Sequence, residues 1–204
     1  MKKTCAKYAS KLIHDGMVVG LGGGSTIQYL IDYVKDKDIQ VVTPSVKTAL
    51  KAQKEGLPVL NTQFVDHIDI AFDGCDEVDQ NLNAYKSGGG IHTKEKIIAK
   101  MAQEYVLLVD ETKVVEKLDC KVPIVLEIVP EAASYVTKEA KKLGAKVKER
   151  NEKLLELYFE GISDLKKLDQ DLKQITGVIE ISLFYQIAAK VVVAGTDGIK
   201  IIES

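Results

Sequence analysis

The sequence is poor in cysteine and contains no apolar run of the ~18 residues that a membrane span requires. Its cysteines, Cys5, Cys75 and Cys120, are odd in number and have no CxxC spacing, which favours neither a disulfide framework nor a zinc site. In the N-terminal segment 1–16, polar residues interrupt the apolar ones, so we expect a helix there rather than an export signal. These absences predict a soluble protein of the reducing cytoplasm, with no membrane partner.

No charge of one sign dominates, because 28 Lys and Arg residues stand against 30 Asp and Glu residues, for a net charge of −2. This balance, without a long Lys/Arg run, gives no electrostatic case for nucleic acid as a partner. Hydrophobic residues make up 46% and charged residues 28%, which is ordinary globular usage and argues against a disordered chain. The length of 204 residues allows one large domain or two small ones.

The first half of the chain alternates short apolar runs with helical periods. In the helical segments, apolar residues recur at spacings of three and four, as Ile27, Leu30 and Val34 do. Strands that are apolar along their whole length are buried on both faces, so this alternation predicts a doubly wound, Rossmann-like parallel sheet. The predicted helices cover 2–14, 27–34, about 45–55 and 94–104, and the predicted strands cover 17–21, 39–42, 68–72 and 105–109.

The pattern changes after Pro123, where six elements follow in the order β-α-β-β-α-β of a ferredoxin-like α+β unit. The later apolar runs, 190–194 and 198–202, are expected to return to the first sheet. We therefore predict a Rossmann-like catalytic domain formed by 1–122 plus 188–204, with a ferredoxin-like small domain, 123–187, inserted in it. The six elements are 124–129, 131–143, 145–149, 153–159, a helix with Ser163 as its N-cap candidate, and 177–184.

A glycine-rich loop, GLGGGST at 20–26, lies between a predicted strand and a predicted helix. Glycines let the backbone approach a ligand closely, and the free N–H groups at the start of the next helix favour an anion. The loop lacks the Gly-Lys-Ser/Thr ending of a Walker loop, and Ser25 stands where GxGxxG has its last glycine, which argues against a dinucleotide. For this loop alone, a phosphate cradle and a plain glycine turn capped by Ser25 fit equally well.

Four carboxylates fall within seven residues at 73–79 (DGCDEVD), directly after the predicted strand 68–72. Loops at the carboxyl ends of parallel strands are where α/β proteins bind ligands. Such a cluster serves the hydroxyls of a sugar, a metal ion or solvent, and a solvated acidic turn is its commonest fate. The spacing does not match the DxDxDG calcium pattern.

A second glycine run, within YKSGGGIHTKEK at 85–96, also precedes a predicted helix. Glu95 in the first helical turn either complements the helix dipole, together with a cap at Thr93, or acts as a base. In the second case Lys86 is the partner for the developing negative charge, whereas the lone His92 is expected to be structural. Each of the three loops is weak evidence alone, but their joint placement at strand ends and helix starts favours a phosphosugar site.

These motifs resemble those of a known family. DGCDEVD followed by KSGGGIHTKEKIIA is similar to the signature of ribose-5-phosphate isomerase A, which interconverts ribose 5-phosphate and ribulose 5-phosphate. GLGGGST resembles its phosphate-side loop, LDCKVPIVLEIVP the segment leading into its small domain, and GVIEISLF with AGTDGIKII its C-terminal stretch. The similarity follows the chain order almost throughout. It implies the same two-domain fold and an aldose–ketose isomerase of the non-oxidative pentose phosphate pathway.

The resemblance also implies roles for individual residues. Glu95 stands at the position of the general base, and Asp73, Asp76 and Lys86 stand at the positions of the other catalytic groups. The implied reaction needs no metal and no organic cofactor, its partner is a small sugar phosphate, and the implied assembly is a homodimer or homotetramer. The expected substrate-binding residues are Gly23, Gly24, Ser25, Thr26, Gly74, Cys75, Ser87, Gly88, Gly89 and Lys121.

The chain departs from the family pattern at a few positions. Gly23 replaces a threonine, Ser87 replaces a glycine, and Ile181 and Ser182 stand where a small or glycine-containing pair is usual. These departures keep open an isomerase for a different sugar phosphate. A non-catalytic sugar-phosphate sensor, like the effector domains of some sugar-responsive repressors, is a further alternative, although a sensor has no need for a paired lysine and glutamate.

Overall fold

A computed structural model describes residues 1–118 and 121–203, so Cys120 lies outside the described residues. Every helix within these ranges is too short or too polar to span a lipid bilayer. The α-helices are α1 (Lys2–Ala9), α2 (Ser25–Val34), α3 (Val46–Lys54), α4 (His92–Met101), α5 (Ala133–Lys142) and α6 (Leu165–Lys173). Short 3₁₀ helices cover Ser10–Leu12, Thr62–Phe64, Glu111–Lys113 and Pro130–Ala132.

The described residues form three sheets. Their strands are β1 (Val18–Leu21), β2 (Gln40–Val42), β3 (Val59–Leu60), β4 (Ile68–Asp73), β5 (Glu77–Val78), β6 (Ala84–Tyr85), β7 (Ala102–Asp110), β8 (Ile124–Ile128), β9 (Lys146–Asn151), β10 (Leu154–Tyr158), β11 (Val178–Ile181), β12 (Leu183–Phe184), β13 (Lys190–Gly195) and β14 (Gly198–Glu203).

The largest sheet has the strand order β14-β13-β7-β4-β1-β2-β3, and all neighbours are parallel except β14, which is antiparallel to β13. Helices α1 and α2 pack on one face and α4 on the other, so the strands between them are buried on both sides. This confirms the doubly wound prediction. The chain runs outward from β1 to β3 and then resumes at β4 on the other side of β1, which makes the β1–β4 edge the topological switch point.

The second sheet is antiparallel, with the order β11-β8-β10-β9, and α5 and α6 contribute buried residues to its core. Two βαβ units interleaved in this order form the ferredoxin-like arrangement that the β-α-β-β-α-β pattern predicts. All of these elements lie within the segment 123–187. The division of the chain into two domains at 122/123 and 187/188 stays a prediction.

The predicted strand 177–184 is interrupted at Ser182. Residues before it pair with β8, whereas β12 crosses to β6 and forms a three-stranded sheet with β6 and β5. The interruption has a local cause. The Ser182 carbonyl accepts a hydrogen bond from the Lys86 N–H at 2.9 Å instead of continuing the ladder with β8 in the second sheet. The β12–β6 pairing thus joins the four-stranded second sheet to the segment that follows β4.

Several element boundaries differ from the sequence predictions. The predicted helix 2–14 divides into α1, which ends at Ala9, and the 3₁₀ helix Ser10–Leu12. For two other boundaries the cause is a strand pairing or a cap. Helix α4 ends at Met101 rather than 104, because Ala102–Glu104 pair with β4 and lengthen β7. The N-cap of α6 is Asp164 rather than Ser163, because the Asp164 side chain accepts a hydrogen bond from the Lys167 N–H at 2.9 Å.

Candidate active site

A cleft of about 410 Å³ opens at the switch point of the large sheet. Its walls come from the loops after β1, β2 and β4, from the loop before α4 and from the first turn of α4 itself. Loops that follow parallel strands meet at one edge of a sheet, which explains why segments far apart in sequence converge here. The lining residues are Gly23, Gly24, Ser45, Asp73, Gly74, Cys75, Asp76, Lys86, Gly88, Gly89, Ile91 and Glu95.

Three buried charged side chains form the centre of the cleft. The Lys86 Nζ lies 2.9 Å from Asp73 Oδ2 and 3.4 Å from Glu95 Oε1. It also donates a hydrogen bond to the Gly74 carbonyl at 2.5 Å. Asp73 is 3% exposed, and Lys86 and Glu95 are 7% exposed each. One ammonium group thus stands between two carboxylates in a site that is largely closed to water.

Burial and neighbouring charges shift the pKa values of these groups in different directions. Burial raises the pKa of Glu95 to about 7, and the Asp73 carboxylate adds to the rise, while Lys86 opposes it. For Lys86, burial alone would lower the pKa, but the charges of Asp73 and Glu95 outweigh it and raise the pKa above its ordinary value. The lysine therefore stays protonated, whereas Glu95 titrates near neutrality, as a general base does.

The second carboxylate of the acidic loop, Asp76, holds the glycine loop before α4. Its Oδ2 accepts hydrogen bonds from the Ser87 N–H at 2.6 Å and the Gly88 N–H at 3.0 Å. Asp73 does the same for the loop after β1, since its Oδ1 accepts from the Gly23 N–H at 3.3 Å. Each aspartate therefore fixes backbone on one side of the cleft while its carboxylate faces the cavity.

The loop after β1 requires glycine for steric reasons. A Cβ on Gly22 would lie 2.0 Å from the Asp73 carboxyl carbon, so only hydrogen fits. Gly24 adopts φ +87°, in the left-handed region, and caps α2 without a side chain. The first-turn N–H groups of α2, which begins with Ser25 and Thr26, are thus left for another acceptor, as in an anion site.

The structure brings ten of the fourteen predicted site residues into the lining of the cleft. Ser25 and Thr26 follow the lining residue Gly24 in the first turn of α2. Ser87 is buried behind the loop, and Lys121 is exposed and outside the lining. The roles predicted for all fourteen residues stay predictions.

The environments of Cys75 and His92 fit structural roles, which the sequence predicts for His92. Burial raises the pKa of the Cys75 thiol to about 12, which disfavours the reactive thiolate and fits a small packing residue. His92 is fully buried, and its Nε2 lies 3.2 Å from the Glu180 carbonyl.

Three residues near the cleft are absent from the sequence predictions. Ser45 lines the cleft after β2 and caps α3 by accepting a hydrogen bond from the Thr48 N–H. Its position directly after a parallel strand is the sequence signal that could have placed it in the site. Ile91 also lines the cleft, but its apolar side chain gives no sequence signal of a functional role. Arg150, on β9, donates from Nη1 to the Ser87 carbonyl at 2.7 Å, and no local pattern connects residues 63 positions apart.

A doubly wound sheet has a cleft at its switch point, and within it a buried carboxylate whose pKa is raised to about 7 lies beside a fixed ammonium. This combination defines an α/β enzyme site for acid–base chemistry. The model of the family ribose 5-phosphate isomerase A (phosphoriboisomerase A) matches residues 40–198. The chain belongs to this family.

Relatives and solved structures agree over the full length. Ribose-5-phosphate isomerase A of Pyrococcus furiosus is 39% identical over 100% of this chain and 97% of its own. That of Streptococcus thermophilus is 37% identical with the same coverage. The solved ribose 5-phosphate isomerase A of Methanocaldococcus jannaschii superposes with a TM-score of 0.91 at 32% identity, over 100% of this chain and 98% of that one.

Two further similarities bear on ligands. A D-ribose-5-phosphate isomerase solved in complex with phospho-erythronic acid has a TM-score of 0.92 and 34% identity, over 100% of this chain and 97% of that chain. The model of the DeoR C terminal sensor domain matches residues 1–63. That match ends before both Lys86 and Glu95.

Proposed function

We propose that this chain interconverts D-ribose 5-phosphate and D-ribulose 5-phosphate, with Glu95 as the group that moves the proton. The observation that carries the proposal is the contact of 3.4 Å between the buried side chains of Lys86 and Glu95, from Nζ to Oε1. Its surroundings raise the pKa of Glu95 to about 7, which suits a group that must both accept and release a proton. Membership in the family and the phosphorylated sugar acid bound to a relative support this substrate class.

The reaction moves a carbonyl between C1 and C2 of the open-chain sugar. Starting from the aldose, Glu95 removes the proton from C2, and the electron pair of that bond forms the C1–C2 double bond of an enediolate. The protonated Glu95 then delivers the proton to C1, which leaves the carbonyl at C2. As the C1–C2 double bond forms, the π electrons of the C1 carbonyl move to its oxygen. The proton of the C2 hydroxyl passes to that oxygen in the same cycle, so the net change is isomerisation.

The Lys86 ammonium stabilises the oxygen that becomes negative in the enediolate. Asp73 and the Gly74 carbonyl hold this ammonium in place before the substrate binds, so no reorganisation is needed as the charge develops. Asp73 and Asp76 orient the sugar hydroxyls and assist the opening of the furanose ring. No metal and no organic cofactor takes part in these steps.

The phosphate holds the non-reacting end of the substrate. The first-turn amides of α2, with the hydroxyls of Ser25 and Thr26, supply donors without a competing side-chain cap. Lys121 adds a positive charge. The remaining contacts come from the glycines on both sides of the cleft.

Replacement of Glu95 by glutamine tests the proposal. The substitution keeps the shape but removes the base, so kcat should fall by about 10²–10⁴-fold with ribose 5-phosphate as the substrate. The surface variant Glu131→Gln, on an exposed 3₁₀ helix, is the matched control and should retain full activity. Assays on chelator-treated protein should give the same rates. Near-native turnover by Glu95→Gln would exclude Glu95 as the base.

A different sugar phosphate is the second candidate, and the space at Gly23 favours it. A Cβ placed on Gly23 would meet only Ser45, at 3.9 Å, so the cleft is wider here than a threonine would leave it. A panel of pentose and hexose phosphates, assayed on the wild type and on Gly23→Thr, separates the two candidates. Higher kcat/KM for a larger aldose phosphate, reversed by the substitution, would favour the second one.

We further propose that the protein acts in the cytoplasm as a homodimer or homotetramer. Ile179 on the edge strand β11 is 52% exposed, which offers an apolar position for contact between copies. Light scattering coupled to size-exclusion chromatography measures the assembly. A monomer at micromolar concentration would contradict it.

A further inference from the structure

A pair of buried serines lies directly behind the catalytic lysine. Ser87 is 2% exposed and Ser182 is fully buried, and their hydroxyl oxygens are 2.9 Å apart. Ser87 Oγ donates to the Pro123 carbonyl at 2.5 Å, and Ser182 Oγ accepts from the Val125 N–H at 2.8 Å. The two hydroxyls therefore connect three segments that are distant in sequence.

The direction of this hydrogen-bond chain follows from the groups at its ends. An N–H can only donate and a carbonyl can only accept, so the Val125 N–H donates to Ser182, Ser182 donates to Ser87, and Ser87 donates to Pro123. Each hydroxyl uses its single proton, and both ends of the chain lie on the segment that enters β8. In a buried environment, such linked hydrogen bonds strengthen one another, whereas the loss of one member leaves polar groups unpaired.

The same two residues use their backbone groups to hold the active site. The Ser182 carbonyl accepts from the Lys86 N–H at 2.9 Å, and the Ser87 N–H donates to Asp76 Oδ2 at 2.6 Å. The Ser87 carbonyl accepts from Arg150 Nη1 at 2.7 Å. The backbone of Lys86 and Ser87 is thus fixed to Ser182 and Arg150 on one side and to the Asp76 carboxylate on the other.

We propose that Ser87 and Ser182 are positioning residues, whose paired hydroxyls hold the backbone of Lys86 so that its ammonium stays between Asp73 and Glu95. Neither serine belongs to the lining of the cleft, and their hydroxyls act on the site through the backbone of Lys86. The part of the proposal that concerns turnover rests on the proposed function. The part that concerns the geometry of Lys86 and Glu95 does not.

The test compares Ser87→Ala, Ser182→Ala and the double variant with the wild type. Each single substitution should lower kcat about tenfold, with KM changed less than twofold, because the chemical step needs the placed ammonium and substrate binding does not. The double variant should be about as slow as the slower single variant, since both break one chain. Val136→Ala, on the buried face of α5, is the control for a destabilised small domain and should keep the wild-type kcat.

A second measurement does not depend on turnover. The pKa of Glu95, followed by NMR of ¹³C-labelled carboxyl groups and assigned with Glu95→Gln, should rise by at least about 0.5 in both alanine variants, because a displaced Lys86 no longer lowers it. Val136→Ala should leave this pKa unchanged. A Glu95 pKa that is unchanged or lowered in the serine variants would overturn the proposal. Wild-type protein that fails to isomerise ribose 5-phosphate while the pKa rises as expected would overturn only the proposed function.

Discussion

Glu95 combines a base and a buried acid in one side chain, and its titration should govern the activity of the enzyme. Only the carboxylate form accepts the substrate proton, and its surroundings raise the pKa of Glu95 to about 7. We therefore expect kcat/KM to rise with pH up to about 7 and to fall about tenfold per pH unit below it. A profile from pH 5 to 9, measured with ribose 5-phosphate, checks this. A rate that stays constant down to pH 5 would contradict the assignment.

The same pKa shift means that ionised Glu95 destabilises the fold. Because the folded-state pKa lies above the ordinary value of 4.5, the contribution of Glu95 to stability is full below that value and is lost as the pH rises through about 7. Glu95→Gln should therefore raise the free energy of unfolding at pH 8 by about 1–3 kcal/mol. The cost of leaving the buried Lys86 ammonium without the Glu95 carboxylate reduces this gain.

Urea unfolding at pH 8 and at pH 4.5 separates this effect from a general one. The gain should be present at pH 8 and absent at pH 4.5, where the native carboxyl is already protonated. Equal stability of Glu95→Gln and wild type at pH 8 would contradict a raised pKa of Glu95.

At the level of single residues, chemistry could be predicted where the sequence clusters it. Asp73, Lys86 and Glu95 stand beside glycines at predicted strand ends and helix starts, and they meet as expected. Arg150 could not be found this way, because its contact with Ser87 depends on how β9 of the second sheet packs against the glycine loop before α4. Ser87 and Ser182 are two departures from the family pattern that lie far apart in the sequence, yet their hydroxyls contact each other in the fold.

At the level of elements, the loop after β1 offers a matched pair of glycines. A Cβ on Gly22 would lie 2.0 Å from the Asp73 carboxyl group, whereas a Cβ on Gly23 finds nothing nearer than 3.9 Å. Gly22→Ala should therefore displace Asp73 and lower kcat/KM by about 10²-fold or more. Gly23→Ala should stay within about threefold of the wild type.

Kinetics of the two alanine variants, with circular dichroism to verify folding, provide the measurement. Comparable loss in both variants would mean that the loop needs flexibility rather than space at Gly22. An intact Gly22→Ala enzyme would mean that the side chain of Asp73 can move without loss of function.

The order of elements was predictable because buried parallel strands are apolar along their length. The ends of elements were not, since they depend on partners elsewhere in the chain. Ala102–Glu104 have a helical pattern but extend β7, because they pair with Ile68 and Ile70 of β4. Likewise, the apolar run 177–184 shows no sign of its break at Ser182, since the partner on the far side, β6, was not predicted as a strand.

At the level of the whole molecule, Lys96 connects the two larger sheets. It lies on α4 directly after Glu95, is 2% exposed, and donates to Glu180 Oε1, the Ile181 carbonyl and the Leu183 carbonyl at 2.9, 2.6 and 2.8 Å. All three acceptors belong to the stretch from β11 to β12. The ammonium also lies 4.9 Å from the centre of the Phe184 ring.

This connection predicts that the chain unfolds as one unit, although its topology contains a Rossmann-like and a ferredoxin-like part. Lys96→Met keeps the length of the side chain but removes the ammonium donor from two carbonyls and from the partly buried Glu180 carboxylate, which still accepts from the Ile181 N–H at 2.9 Å. We expect a loss of about 2–3 kcal/mol in the free energy of unfolding. Lys167→Met, which removes an exposed ion pair with Asp171, should cost less than about 0.5 kcal/mol.

Calorimetry distinguishes a connected molecule from two independent parts. The wild type should show a single transition with equal calorimetric and van't Hoff enthalpies, because Lys96 and the β12–β6 pairing must break before either part can separate. Lys96→Met should lower the midpoint and broaden or split the peak, whereas Lys167→Met should leave its shape unchanged. Two transitions in the wild type would mean that these contacts do not couple the parts, and that Glu95 is held in place by the large sheet alone.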